Sequence, residues 1–270
     1  MKTISQTLGV ARSNMIERRD DRRPGRGPQE RTGDVELAGA IRRFVDARPT
    51  YGYRRIAALL KRERRSEGLA PVNAKRVYRL MKKHRLLLER HTGRRRPREH
   101  DGQVATIRSN CRWCSDALEF TAWNGEIVRV AFALDCHDRE AISWVATTAG
   151  ISGEMVRDMM VRSVEQRFGG LRAPHGSIFA AHKTVEIAVA LNLVPCFTPV
   201  ESPESNGMAE AFVKTFKRDY VRVSPIPNAA AALALIDSWM EDYNTAHPHS
   251  RLGHRSPREY ILSQLAACPV

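Results

Sequence analysis

Two hundred and seventy residues, 42% hydrophobic and 27% charged, suffice for one large domain or two modest ones; they exclude a collagen, a coiled-coil rod and a disulfide-stapled miniprotein. No apolar run reaches the roughly 18 residues that a membrane-spanning helix needs. Met1 to Thr7 turns polar before an export signal could form, so a cytoplasmic protein is expected. The 44 Lys and Arg against 30 Asp and Glu are unevenly placed: residues 1–100 hold 28 basic against 11 acidic side chains, net +17, and the rest of the chain is net −3. Such asymmetry predicts a polyanion-binding module followed by a domain with another task, because Lys and Arg that neutralise phosphates dominate nucleic-acid affinity.

In chain order, Thr7 to Ser13 resembles the turn of a helix-turn-helix, with Gly9 where a left-handed residue is needed. Residues 18–33, rich in Arg, Pro and Gly, read as a linker. Leu37, Ile41, Phe44 and Val45 recur at helical spacing up to Pro49, and Thr50 is placed to cap a second helix carrying Tyr53, Ile56, Leu59 and Leu60. Asn73 caps a third helix over about 74–85, with Ala74, Val77, Leu80 and Met81 on one side and Lys75, Arg79, Lys82 and Lys83 on the other. A solvated face usually mixes Glu with Lys. This one has no acid, so it predicts a helix whose basic stripe, Arg76 beside it, tracks the phosphates of a DNA groove. Arg94, Arg95, Arg96 and Arg98 close the region as a second basic linker.

From Arg112 the period changes from helical to alternating. Strands are predicted at 112–121, 126–135 and 141–148, with Asn124-Gly125 as the first hairpin turn. Helices follow at about 153–168 and 182–192, a short strand at Val194 to Thr198, and long helices at about 205–220 and 228–244. An antiparallel meander followed by alternating helices and strands predicts a mixed sheet covered by helices. Asp135 and Asp138 fall between strands and read as turn residues. The five cysteines read as reduced thiols, and the Cys111/Cys114 pair lacks the second pair that a structural zinc needs.

Five segments carry a family resemblance: Trp113-Cys114-Ser115-Asp116, Leu134 to Arg139, Ser202 to Phe212, Tyr243-Asn244 with His247-Pro248-His249, and Ser256 to Tyr260. With them the chain resembles the second-frame product of bacterial insertion sequences whose transposase gene is split over two frames and whose core is similar to retroviral integrase. Pro49 to Arg55 and Asn73 to Tyr78 match that family's helix-turn-helix extension. The resemblance implies an RNase H-like integrase core preceded by an all-α DNA-binding region. Its domains would be a partial helix-turn-helix with basic linker at 1–33, a helix-turn-helix-like domain at 34–92, a basic linker at 93–106 and the core at 107–266.

The same resemblance implies a two-metal polynucleotidyl transferase. Three carboxylates would hold two Mg²⁺ or Mn²⁺ about 4 Å apart, one ion activating the attacking oxygen and the other stabilising the leaving oxygen. Asp116 would be the first carboxylate and Glu210 the last, with Lys214 and Lys217 on the Glu210 face touching the transposon end. The family places the middle Asp in an Asp-Asn-Gly segment at the end of a strand, with thirty-five residues between it and the glutamate. That position is held here by Pro174, followed by His175, and imidazole is a poor Mg²⁺ ligand. Only Gly169 to His175 separate the preceding helix from Gly176, which predicts a deletion of about one strand, roughly five to eight residues. The expected partners are duplex DNA, as terminal repeats and target, and further transposase copies in a homo-oligomer near the nucleoid, with no membrane. The alternative on the same residues is a non-catalytic DNA-binding relic or regulator acting through its basic N-terminal region.

Overall fold

The structure is a computed structural model and describes residues 2–10, 31–89, 106–169, 184–194 and 207–267. It separates into two compact units, residues 1–40 and residues 41–270. In the first, α1 (Lys2–Thr7) is followed by Gly9 with φ +60°, the left-handed geometry expected of it. Most of the linker read over residues 18–33 lies outside the described residues. At the start of α2 (Asp34–Ala47) the Asp34 carboxylate accepts the Arg31 N–H at 3.1 Å, closing the first turn.

In the second unit α3 (Tyr53–Ser66) and α4 (Ala74–Lys83) form the helical region. Asn73 caps α4, its side chain accepting the Lys75 N–H at 2.9 Å. Thr50 does not cap α3: the N-cap is Gly52, with no side-chain bond. Ile41, Ile56, Leu60, Val77, Leu80 and Met81 are buried, and an edge contact between Tyr53 and Tyr78, 5.0 Å between centroids, ties α3 to α4.

The core opens with β1 (Trp113–Thr121), β2 (Ile127–Asp135) and β3 (Ala141–Thr147), an antiparallel sheet in the order β1-β2-β3. Gly125 turns the first hairpin at φ +91° and Asn124 accepts the Glu126 N–H, as the Asn-Gly pair predicts. Behind the sheet follow α5 (Gly153–Phe168), α6 (Thr184–Ala190), α7 (Gly207–Asp219), α8 (Ala229–Thr245) and α9 (Pro257–Ala267). No helix among the described residues is long and apolar enough to cross a membrane. The strand read over 194–198 falls outside the described residues beyond Val194, as do Arg94 to Arg98.

Side-chain alternation sorts the sheet into two faces. Leu118, Phe120, Val128, Val130, Phe132 and Leu134 pack against α7 and α8, which contribute Phe212, Phe216, Ile236 and Trp239. The opposite face carries small residues, Ala131 and Ala133, against Met159 of α5. That smallness lets α5 approach closely enough for Ser143 on β3 to donate to the Met159 carbonyl at 2.9 Å and to meet the Ser163 hydroxyl at 2.6 Å. Among the described residues a helical region is thus followed by an α/β core with helices on both faces of its sheet.

Candidate active site and DNA interface

Asp116 lies mid-strand on β1, exposed, on the same face as Leu118 and Phe120. It sits opposite Phe132, and residues opposite each other across an antiparallel pair share a face. Phe132 in turn packs on Phe212 of α7, 4.4 Å between ring centroids. Glu210 is in the first turn of the same helix, two residues before Phe212. This contact and the shared apolar cluster around it bring the strand of Asp116 and the helix of Glu210 together.

The immediate partners of the two carboxylates differ. An Asp116 oxygen accepts the N–H of Ala117 at 2.8 Å. Glu210 pairs with Lys214 at 3.3 Å, one turn along α7, on the exposed face of the helix. Lys217, a further turn on, is half-buried. No set of three His, Cys, Asp or Glu side chains among the described residues is arranged to hold a metal ion. Pro174 and His175 lie outside the described residues. Cys111, Cys114 and Cys136 are free thiols, as read.

Two further acids of the core are structural. Asp135, fully buried at the end of β2, accepts the N–H groups of His137, Asp138 and Asn110. Asp138 receives both guanidinium nitrogens of Arg167 on α5, at 2.9 and 3.0 Å. Both shape the β2–β3 turn, as their position between strands predicts.

On α4 the predicted polarity holds. Val77, Leu80 and Met81 are buried while Lys75, Lys82 and Lys83 are exposed, with Arg76 and Arg79 partly so. The Pro49 to Arg55 segment does something sequence reasoning missed. Tyr51 is buried, its hydroxyl 2.9 Å from Nδ1 of His247, and Arg48 forms a two-pronged ion pair with Asp242 of α8. Arg55 reaches Asp219, the last residue of α7, at 2.8 Å. Burial alone would raise the Asp219 carboxyl, but hydrogen bonds from Arg218 and Thr50 and the Arg55 charge hold it below the usual carboxylate range. Burial, then the neighbouring His249 and arginines, pushes the His247 imidazole well down, and burial with Arg139 brings His249 to about 3. The Tyr51 hydroxyl therefore meets a neutral imidazole. A surplus of arginine over need on an otherwise apolar helix, matched by the acids at the ends of α7 and α8, was the available signal.

Comparison with known proteins gives two family matches: an HTH-like domain over residues 33–96 and an integrase core domain over residues 193–257. The chain is 45% identical to the Transposase InsD for insertion element IS2D of Escherichia coli K12, over 96% of this chain and 89% of that protein. It is 58% identical to an insertion element IS136 uncharacterized protein of Agrobacterium fabrum, over 68% of this chain and 99% of that protein. Both alignments are longer than the stretch of this chain that they take in. The first runs over 270 positions but holds 96% of 270 residues, about 259; the second runs over 193 positions but holds 68%, about 184. Some ten positions in each therefore have no residue of this chain opposite them.

Proposed function

The chain belongs to the transposases of bacterial insertion sequences, and on that footing we propose that it binds DNA through α4 but does not cut or join it. The observation that carries this reading is Pro174 where the family resemblance calls for the middle Asp, beside Asp116 and Glu210 on elements that the Phe132–Phe212 contact joins. Divalent-metal chemistry in such a core rests on a set of hard oxygen ligands that both neutralise and align a pair of ions. Asp116 and Glu210 alone do not complete the ligand set for such a pair.

The chain is roughly ten positions short of both relatives, close in size to the five to eight residues of the expected deletion. Pro174 holds the place where the family resemblance calls for the middle Asp. What remains is a protein that occupies DNA ends and pairs with intact copies near the nucleoid, the relic or regulator reading.

The test uses the full chain and a duplex carrying the element's terminal repeats. Salt-sensitive binding is expected, without Mg²⁺- or Mn²⁺-dependent cleavage or joining above that of an Asp116→Ala control. Metal-dependent turnover abolished by Asp116→Ala would overturn the proposal.

A further inference from the structure

The motif Pro49 to Arg55 belongs by resemblance to the DNA-binding extension, yet its side chains are spent on the core. Arg48 grips Asp242, which also accepts the Tyr220 hydroxyl at 2.9 Å. Tyr51, 2% exposed, meets His247 and lies between two guanidinium groups, Arg48 at 5.8 Å and Arg55 at 5.0 Å from its ring centroid. Arg55 pairs with Asp219, whose side chain is 1% exposed. Two turns further into α3, Arg62 donates to the Ala246 carbonyl at 2.6 Å and pairs with Glu259 of α9 at 2.6 Å. The contacts reach the ends of α7 and α8, the His247 segment and α9.

Apolar packing would suffice to hold a small helical region against a core, and buried ion pairs add little net stability once their desolvation is counted. What directional pairs add is orientation: a two-pronged Arg–carboxylate pair admits one geometry. Here one such pair, Arg48–Asp242, lies on one short stretch with the single-pronged Arg55–Asp219 pair and the Tyr51–His247 hydrogen bond, and α3 carries α4 through Tyr53 and Tyr78. We propose that Arg48, Tyr51 and Arg55 are positioning residues that clamp the helix-turn-helix region to the core, so that α4 is held at a fixed offset from Glu210. The rise of a helix sets one leg of that offset: from Asp219 back to Glu210 along α7 is about 13 Å. The clamp acts as a ruler between the groove that α4 occupies and the carboxylate face. This use of it rests on the DNA-binding reading of α4.

The experiment measures the clamp and DNA binding separately. Fluorophores are placed through non-natural amino acids at exposed His84, after α4, and exposed Ala230 on α8 of the full chain, and single-molecule energy transfer is recorded without DNA. One narrow population is expected for the unmodified clamp. Arg48→Met with Asp242→Leu, which removes both charges, should broaden it, and the exchanged pair Arg48→Asp with Asp242→Arg should narrow it again. Tyr51→Phe, which deletes one hydroxyl, serves as a milder variant. A broad distribution in the unmodified chain, or no response to any variant, overturns the clamp.

In a second arm, affinity is measured against duplex length. The unmodified chain should gain about ten-fold once the duplex is long enough to reach the core, an effective-concentration effect, and the clamp-released variant should lose that gain while keeping its short-duplex affinity. Equal gain in both overturns the ruler. A narrow distance distribution with no binding to any duplex would leave the clamp standing and remove the DNA reading of α4 instead.

Discussion

At the scale of single residues, the same carboxylate type does opposite work in the core, according to what surrounds it. Asp135 and Asp138 are buried and saturated by backbone N–H groups and Arg167; Asp116 is exposed on a strand face that ends at α7. That division was legible, because acids between strands read as turn residues and Asp116 did not fall in a turn. The histidines of the His247-Pro248-His249 segment were legible only as a motif. Their chemistry depends on burial against Tyr51, Tyr243 and Arg139, which no local pattern announces. Both imidazoles are neutral when folded, and Nε2 of His249 is buried without a hydrogen-bond partner among the described residues. The folded pKa of His249, about 3, lies below the ordinary 6.5 of the unfolded chain, so the unfolded state takes up the proton first. Its contribution is fully present above pH 6.5 and is lost as pH falls from there toward 3. By linkage each pH unit in that window costs about 1.4 kcal/mol, so near pH 5 this histidine alone removes about 2 kcal/mol. Urea unfolding between pH 7.5 and 5 should show at least that slope, since His247 and His254 are also held low, and His249→Gln should reduce it without abolishing it. Asp219 does not confuse the result, because its depressed carboxyl titrates only below the ordinary carboxylate range, near pH 4 and lower. An unchanged slope in the Gln variant would assign the pH dependence elsewhere.

Among the elements, the sheet and the long helices followed from period alone. β1 to β3 fall within a residue of their predicted ends, and α5 covers the predicted 153–168, because each has one face committed to a core. The helix α9 was missed for the converse reason: Leu262 and Leu265 are exposed, and only Pro257 of the helix is buried, so no stripe marks it. Thr50 was assigned as a cap because cap chemistry is local, but its hydroxyl serves Asp219 and Gly52 takes the cap position. On α4 the two faces are independent, since Val77, Leu80 and Met81 hold the helix while the basic side chains point outward. Replacing Lys75, Arg79, Lys82 and Lys83 by Gln should therefore weaken duplex binding while the helix stays folded on its apolar face. If all four touch phosphates, the slope of log affinity against log salt should fall in magnitude by about 3 to 4. Filter binding or anisotropy across a salt series reads it directly; binding that is as tight and as salt-sensitive as before would exclude α4 as the interface.

For the whole molecule, the relation between regions was the least legible part, because it is written in pairs far apart in sequence. Arg48 and Asp242 stand 194 residues apart, and nothing in either neighbourhood names the other. The middle carboxylate is the reverse case, legible in sequence as a gap before Gly176 and a proline where the family resemblance calls for Asp. Restoring activity tests that reading against a plain loss of function. Pro174→Asp supplies a carboxylate but no strand to hold it, and a ligand that is not held in place aligns neither metal nor substrate. That variant should stay inactive. Inserting a β-strand of about five to eight residues ending in Asp before Gly176 should instead return Mg²⁺-dependent cleavage of terminal-repeat DNA. Activity of the insertion variant should depend on Asp116 and Glu210, because the new ligand completes a set rather than replacing one. Isothermal titration separates folding from chemistry: metal should bind more tightly to the insertion variant than to the present chain even where turnover is slow. Activity from Pro174→Asp alone, or an insertion variant that folds and binds metal no better than before, would place the defect outside this segment.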